Sequence, residues 1–177
     1  MSKVLAIDTS TSRSCVAIID GTEVLYSGFR DGATAHGPSL PALVQEALAV
    51  SDVDEVVVGM GPGPFTGLRV GIAFAQSFAL AREIPVRGVC SLDAIAAQVT
   101  DKDFIITVDA RRKEVYWARY TNGVRIGEPA VNFPADVSGA AIHADLFPDM
   151  VALVILPGTI TEPIYLRRPD AVATVDR

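Results

Sequence analysis

The chain has 177 residues, half of them hydrophobic, and its formal net charge is −6. This length fits one ordinary domain, or two small lobes that share a core. Because an acidic protein gains little from counterion release at a phosphate backbone, we expect the chain not to bind nucleic acid alone. Cys15 and Cys90 are far apart, which excludes a disulfide framework and a zinc site built from closely spaced cysteines.

Neither a targeting segment nor a membrane span is indicated by the sequence. The N-terminus leads directly into a strand-like run and lacks the pattern of a signal peptide. The longest apolar runs, such as residues 150–156, are too short to cross a bilayer. We therefore expect a cytoplasmic protein that does not associate with a membrane.

The beginning of the chain predicts an antiparallel meander. Short apolar runs at residues 4–7, 15–19 and 23–26 have the length and composition of strands. Asp20 and Gly21 separate the second run from the third, and an Asp-Gly pair between two strands is typical of a type I′ hairpin turn.

Helices and strands alternate through the remainder of the first hundred residues. Ser39 is predicted to cap a first amphipathic helix that extends to about Val50. The other predicted elements are a buried strand at residues 56–58, a second helix at 68–82, a short strand at 85–90 and a third helix at 92–99.

The opening pattern then repeats. A strand at residues 104–108 ends at Asp109, as the first strand of the chain ends at Asp8. A polar turn and a further strand follow, and Asn122 and Gly123 predict another type I′ turn. Because an internal repeat constrains a whole fold, this pattern is more informative than any single motif.

A chain with two such halves is expected to have the duplicated α/β architecture of actin, sugar kinases and heat-shock-70 ATPases. This is the actin-like ATPase, or ribonuclease H-like, fold. We expect a first lobe at residues 1–100 and a second lobe at residues 101–177. Fold alone does not give function.

The glycine-rich segment at residues 59–67 matches no standard phosphate loop. No Lys-Ser or Lys-Thr pair follows its glycines, so it is not a P-loop. Gly61 and Gly63 fit a dinucleotide fingerprint, but the third glycine is Gly67, one position too late. Two interpretations stay open, a tight connection between strand and helix or a loop whose amides face a phosphate.

Four segments carry a family resemblance. Residues 61–71 (GPGPFTGLRVG) resemble the GPGSFTGLRIG signature of the TsaB family, also called YeaZ or glycoprotease-like. Residues 6–10 (AIDTS), 109–116 (DARRKEVY) and 163–168 (PIYLRR) resemble its other motifs in the same order. The four segments span nearly the whole chain.

This resemblance implies a role in tRNA modification. TsaB-like proteins pair with a catalytic paralogue, TsaD, and with a small ATPase, TsaE. Together these proteins place a threonylcarbamoyl group on N6 of the adenosine at position 37 of tRNAs that read codons beginning with A. The resemblance implies that this chain is a non-catalytic scaffold that meets tRNA only through the complex.

The metal site of the catalytic paralogue is not expected here. That paralogue holds its metal with a His-x-x-x-His pair on its first helix, whereas in this chain His36 is followed four residues later by Leu40. A single imidazole cannot clamp a metal from one helical face. We expect no metal site and no catalytic residue, and we interpret His36 as a polar loop or cap residue.

A nucleotide site is the alternative function for the polar strand ends. Related ATPases bind Mg²⁺ and phosphate at the corresponding positions, and the competing interpretation is that these residues close hairpins and cap backbone groups. The candidate nucleotide-binding residues are Asp8, Thr9, Ser10, Gly61, Gly63 and Asp109. We expect no cofactor, or ATP bound only weakly or at a subunit junction.

The second helix is apolar nearly all round, which predicts burial on two sides. One side would pack on the sheet of the chain, and the other would meet TsaD, or a second copy of the chain when TsaD is absent. Burial entirely within the chain is the competing interpretation. The candidate interface residues are Leu43, Val44, Ala47, Leu48, Leu68, Ile72, Ala75 and Ala79.

Arg111, Arg112 and Lys113 form a tight basic cluster. A solvated turn is one interpretation of these residues, and contact with tRNA or with the ATPase subunit is the other. The second lobe is expected to be shortened, because only about forty residues separate Gly123 from the closing motif at residues 163–168. A nucleotide-dependent enzyme of the ATPase or kinase class, or a glycoprotease-like peptidase, remains an alternative function.

Overall fold

The computed structural model describes residues 2–32 and 34–167 and arranges their strands in two sheets. The elements of the first sheet and its helices are β1 (Lys3–Asp8), β2 (Arg13–Asp20), β3 (Glu23–Asp31), α1 (His36–Leu48), β4 (Glu55–Gly59), α2 (Phe65–Arg82), β5 (Val86–Val89) and α3 (Ser91–Ala96). The later elements are β6 (Asp103–Asp109), β7 (Val115–Thr121), β8 (Val124–Asn132), β9 (Ala141–His143) and α4 (Met150–Ile155).

The two sheets repeat one strand order. The first sheet has the order β3-β2-β1-β4-β5, with β1 antiparallel to β2 and parallel to β4. The second sheet has the order β8-β7-β6-β9, with β6 antiparallel to β7 and parallel to β9. The predicted duplicated actin-like fold is therefore confirmed, and the second sheet has one strand fewer. The domain division at residue 100 stays a prediction.

Helix α3 lies between the two sheets. Leu92 and Ile95 of α3 pack against the buried side chains of β6 and β7, while Ala94 packs against the first sheet. Helix α4 joins Ala94 on that face through Leu153. Helices α1 and α2 cover the opposite face of the first sheet. The fold is thus layered, with α1 and α2 outermost, then the first sheet, then α3, then the second sheet.

The two hairpin turns differ from each other. Asn122 and Gly123 both have positive φ, which confirms the predicted type I′ turn. In the first hairpin Asp20 pairs with Glu23, so the turn residues are Gly21 and Thr22 rather than Asp20 and Gly21. Positive φ at Gly21 alone matches a type II′ turn, which has glycine at its first central position.

Helix α1 begins earlier than the sequence predicted. Its first residue is His36 and the residue before it is Ala35, so the prediction that Ser39 caps the helix is wrong. A contact distant in the sequence explains the difference, because the imidazole of His36 is hydrogen-bonded to Ser14 on β2.

Two glycines of the helices test how closely α2 approaches the β1–β2 turn. A Cβ at Gly71 would lie 2.3 Å from Thr9 Oγ1, whereas a Cβ at Gly37 of α1 would meet nothing within 4 Å. We expect Gly71→Ala to lower the free energy of unfolding by about 2 kcal/mol through overpacking. Gly37→Ala, the control, should change it by less than about 1 kcal/mol, because a Cβ there meets no other atom and the gain in helix propensity is opposed by the following Pro38. Urea unfolding measures both, and equal effects would contradict the close approach.

Candidate functional site

Asp8, at the end of β1, is a buried carboxylate with a complete set of hydrogen-bond donors. Its side chain is 0% exposed. Oδ1 accepts from the backbone N of Ser10 at 2.8 Å and from Ser10 Oγ at 2.7 Å. Oδ2 accepts from Ser91 Oγ at 2.7 Å. A Cβ at Gly59 would lie 1.8 Å from Oδ2, so only glycine fits beside this carboxylate.

Burial is the largest influence on the ionisation of Asp8. It raises the pKa of the carboxyl group, while hydrogen bonds from Ser91 and Ser10 oppose the rise. A carboxylate that is fully enclosed and bonded within the chain could meet a metal ion or phosphate only after those bonds were broken. The arrangement fits a structural role at the strand end.

The glycine-rich segment packs tightly on the turn that follows Asp8. A Cβ at Gly63 would lie 2.4 Å from the carbonyl O of Ser10. Thr9 Oγ1 donates to the carbonyl O of Gly67 at 2.7 Å and accepts from the backbone N of Gly71 at 3.1 Å. These contacts fit the tight connection that was one interpretation of the glycines.

The predicted nucleotide-binding residues therefore divide into two groups. The structure brings five of them together in one closed cluster, and these are Asp8, Thr9, Ser10, Gly61 and Gly63. Asp109 lies apart from them and is exposed, and its Oδ1 accepts from the backbone N of Arg111 at 2.9 Å.

The cavity that borders the β1–β2 turn is small. A cavity of about 110 Å³ has Thr11, His36, Pro64, Asp109 and Arg111 in its wall. Sites for drug-sized ligands and cofactors usually measure roughly 300–1,000 Å³. This cavity could hold a few water molecules or a small anion but not a nucleotide. A second, more open cavity of about 430 Å³ shares residues 145–147 with it and is lined by Arg13, Gln98 and Asp149.

His36 is a buried residue of the first helical turn, so its interpretation as a polar loop or cap residue is wrong. It is 4% exposed, and its Nδ1 is hydrogen-bonded to Ser14 Oγ at 2.7 Å. Burial lowers the pKa of the imidazole, and the charge of Asp8 partly offsets this. Ser14 is itself 1% exposed, so the pair offers no accessible nucleophile of the kind a peptidase needs.

The described residues contain neither a metal-binding cluster nor a membrane-spanning helix. Within residues 2–32 and 34–167, no group of three or more His, Cys, Asp or Glu side chains is placed to hold a metal ion. Over the same ranges, every helix is too short or too polar to cross a membrane.

The predicted interface residues face the chain's own core. Seven of the eight are buried, and Leu48 is partly buried. The buried seven are Leu43, Val44, Ala47, Leu68, Ile72, Ala75 and Ala79. Their assignment to a partner surface is therefore corrected. It failed because a helix that is apolar all round does not indicate which side packs on the sheet.

The outward side of α2 carries the surface that the sequence analysis missed. Leu80 is 81% exposed and Ala73 is also exposed. Val70, Phe74 and Phe78 are only partly buried. Within α2 the charged side chains are Arg69 and Arg82, near its two ends. Val70, Phe74 and Phe78 also pack against the core, and the exposed Gln76 and Ser77 lie between the last two of them in the sequence. We call the incompletely buried apolar residues Val70, Ala73, Phe74, Phe78 and Leu80 the α2 outer face.

Arg13 joins the first sheet to the segment before α4. Its guanidinium lies 3.9 Å from the ring centroids of Phe29 and of Phe147. Arg13 Nε also donates to Asp31 Oδ1 at 2.8 Å. Sequence reasoning missed this contact, because no local pattern relates an arginine on β2 to a phenylalanine near residue 150.

The comparisons with known proteins agree with one another. Residues 31–147 match the family described as "TsaD: tRNA N6-adenosine threonylcarbamoyltransferase". The protein Rv3421c of Mycobacterium tuberculosis is 44% identical over 200 residues, covering 97% of this chain and 94% of its own. The tRNA threonylcarbamoyladenosine biosynthesis protein TsaB of Escherichia coli is 37% identical over 139 residues, covering 71% of this chain.

The match with E. coli TsaB covers 59% of that relative's own length. Among solved structures, YeaZ from Pseudomonas aeruginosa is 28% identical with a TM-score of 0.73, covering 87% of this chain and 89% of its own. A second P. aeruginosa structure, described as similar to peptidase YEAZ, is 27% identical with a TM-score of 0.78. It covers 94% of this chain and all of its own.

The buried state of Asp8 predicts a dependence of stability on pH. The pKa of the Asp8 carboxyl group is raised in the folded protein. Its contribution to the free energy of unfolding is therefore fully present below the ordinary carboxyl pKa of about 4. This contribution is lost as the pH rises through the raised pKa. Asp8→Asn cannot ionise. We expect the stability of Asp8→Asn relative to wild type to increase from about pH 4 toward neutrality.

Urea unfolding over this pH range measures the effect. Loss of the Ser91 hydrogen bond in Asp8→Asn would shift the difference equally at every pH, so the slope is the diagnostic quantity. Glu128→Gln, at an exposed position of β8, is the control for removal of a carboxylate. A pH-independent difference between Asp8→Asn and wild type would contradict the account.

Proposed function

We propose a function from the premise that the chain belongs to the TsaD family, in its TsaB (YeaZ) branch within the actin-like kinase superfamily. The function is a role in tRNA threonylcarbamoyladenosine biosynthesis. More specifically, we propose that the chain is a non-catalytic scaffold that binds and activates the catalytic paralogue TsaD. The modified residue is then the adenosine at position 37 of tRNAs that read codons beginning with A.

The α2 outer face is the observation that carries this proposal. It is a nearly uncharged surface on a helix whose other side already belongs to the core. Exposed apolar patches of this kind mark protein interfaces. Ala73 of α2 and Ala42 of α1 are both exposed and small, so a helix of a partner could approach either one closely. The partner is TsaD, or a second copy of the chain when TsaD is absent.

The closed cluster around Asp8 supports a non-catalytic role. An enzyme of the ATPase or kinase class needs carboxylates that can reach a metal ion or a phosphate. Here the carboxylate of Asp8 and the hydroxyl groups of Thr9 and Ser10 are bonded within the chain. Chemistry is therefore assigned to TsaD, with TsaE as the ATPase of the complex and tRNA bound through the assembly.

Two variants, each with an arginine in place of one exposed alanine, test the proposed interface. Ala73→Arg places the guanidinium on the α2 outer face, and Ala135→Arg places it in the connection between β8 and β9. We expect wild type and Ala135→Arg to form a heterodimer with TsaD of the same organism. Ala73→Arg should weaken it at least about tenfold, because a buried unpaired charge is costly.

Analytical ultracentrifugation measures this association, and thermal unfolding checks that each variant folds. A heterodimer that forms equally well with Ala73→Arg would remove α2 from the interface, and its absence for wild type would refute the scaffold function. Titration of the isolated chain with ATP tests the alternative. Tight binding that Asp109→Asn abolishes would favour a nucleotide-dependent enzyme.

A further inference from the structure

The basic turn between β6 and β7 has an unusual backbone. The φ values of Arg111, Arg112 and Lys113 are 59°, 55° and 64°, so three consecutive residues have a left-handed backbone conformation. All three residues are exposed. Left-handed residues other than glycine are disfavoured by sterics, and such strain clusters at functional positions. The strained turn places three adjacent cations at the surface.

Arg167 fixes this turn from the C-terminal segment. Its Nη1 donates to the carbonyl O of Ala110 at 2.9 Å, and its guanidinium forms an ion pair with Glu114. The turn closes further through hydrogen bonds between Ala110 and Glu114 and between Glu114 and Arg111. Arg167 therefore positions the turn, and the surface charge comes from residues 111–113.

Two aromatic side chains lie beside the turn. Tyr165 is two residues before Arg167, is 40% exposed, and has its ring centroid 4.9 Å from that of Phe65. The guanidinium of Arg69 lies 5.1 Å from the Phe65 ring. Pro64, which precedes Phe65, and Arg111 line the same cavity, so the aromatic pair and the turn are neighbours.

These side chains form one surface, which we call the basic–aromatic patch. Its members are Phe65, Arg69, Arg111, Arg112, Lys113 and Tyr165. It is locally cationic in a chain whose net charge is −6. Glu114 is the acidic residue nearest to it along the chain and is paired with Arg167. Asp109 and Glu162 are the next nearest, and both are exposed. The patch adjoins the α2 outer face, because Arg69 is one residue before Val70.

We propose that the basic–aromatic patch binds single-stranded nucleotides of the RNA substrate. Lysine and arginine side chains contact phosphates, and an exposed ring gives an unpaired base a surface on which to stack. RNA would use both features of the patch, the cations and the exposed Tyr165 ring, and an acidic protein that pairs with the cations is the outcome that the test must separate. The inference rests on the proposed function, since the partner subunit supplies most of the RNA affinity.

The test uses the complex of the chain with TsaD and a tRNA substrate, with affinity measured by fluorescence anisotropy at several salt concentrations. Lys113→Glu should weaken tRNA binding about tenfold and reduce the slope of log K against log salt by roughly 0.7–0.9. Tyr165→Ala should weaken binding by a similar factor with the slope unchanged. Tyr165→Phe, which keeps the ring, should bind like wild type.

Lys102→Glu is the matched control, since Lys102 is exposed at the opposite end of β6. Equal tRNA affinities for Lys113→Glu and Lys102→Glu would overturn the inference. In a parallel titration with the ATPase subunit TsaE, weaker TsaE binding by Lys113→Glu together with unchanged tRNA affinity would also overturn it, because the patch would then be a protein contact. Ultracentrifugation of the same samples separates the two proposals. If wild type forms no heterodimer with TsaD, both the proposed function and this inference are refuted. If the heterodimer forms and Lys113→Glu leaves the RNA affinity unchanged, only this inference is refuted.

Discussion

The Thr9 hydroxyl joins the β1–β2 turn to helix α2 through the carbonyl of Gly67 and the amide of Gly71. These two groups lie four residues apart, so they are the acceptor and donor that an α-helix normally pairs. A side chain inserted there requires the helix to lie almost in contact with the turn. Two glycines before α2 also lie close to β1 and its turn. A Cβ at Gly59 would clash with Asp8, and a Cβ at Gly63 would clash with Ser10.

Two consequences follow from this close packing. The space that a nucleotide would occupy between the turn and the glycines is filled by the chain itself, and Asp8 is enclosed with its serine donors. One side of α2 also packs in the core, and its apolar outer face is the surface that we propose for a partner. The enclosed Asp8 cluster and the apolar outer face of α2 both fit the proposed function, in which the chain contributes a binding surface and its paralogue carries out the chemistry.

The repeat of strands and turns could be predicted from sequence because its signals are local. Apolar runs, the terminal aspartates and Asn122–Gly123 give the repeat without knowledge of packing. The buried side of α2 could not be predicted in this way, since its apolar residues surround the helix and the side is selected by Thr9, some sixty residues earlier. The start of α1 at His36 and the stacking of Arg13 likewise depend on distant contacts.

The central claim is that this chain supports tRNA modification without a catalytic carboxylate of its own. The most direct test measures threonylcarbamoyl transfer to tRNA by TsaD and TsaE, with this chain supplied as wild type or as the double variant Asp8→Asn and Asp109→Asn. Both substitutions keep the oxygen that accepts from Ser10 or from Arg111, and Asp8→Asn loses the acceptor for Ser91. The account predicts the same transfer rate with both proteins and none without the chain. A much lower transfer rate with the double variant than with wild type, while the heterodimer with TsaD stays intact, would contradict the account.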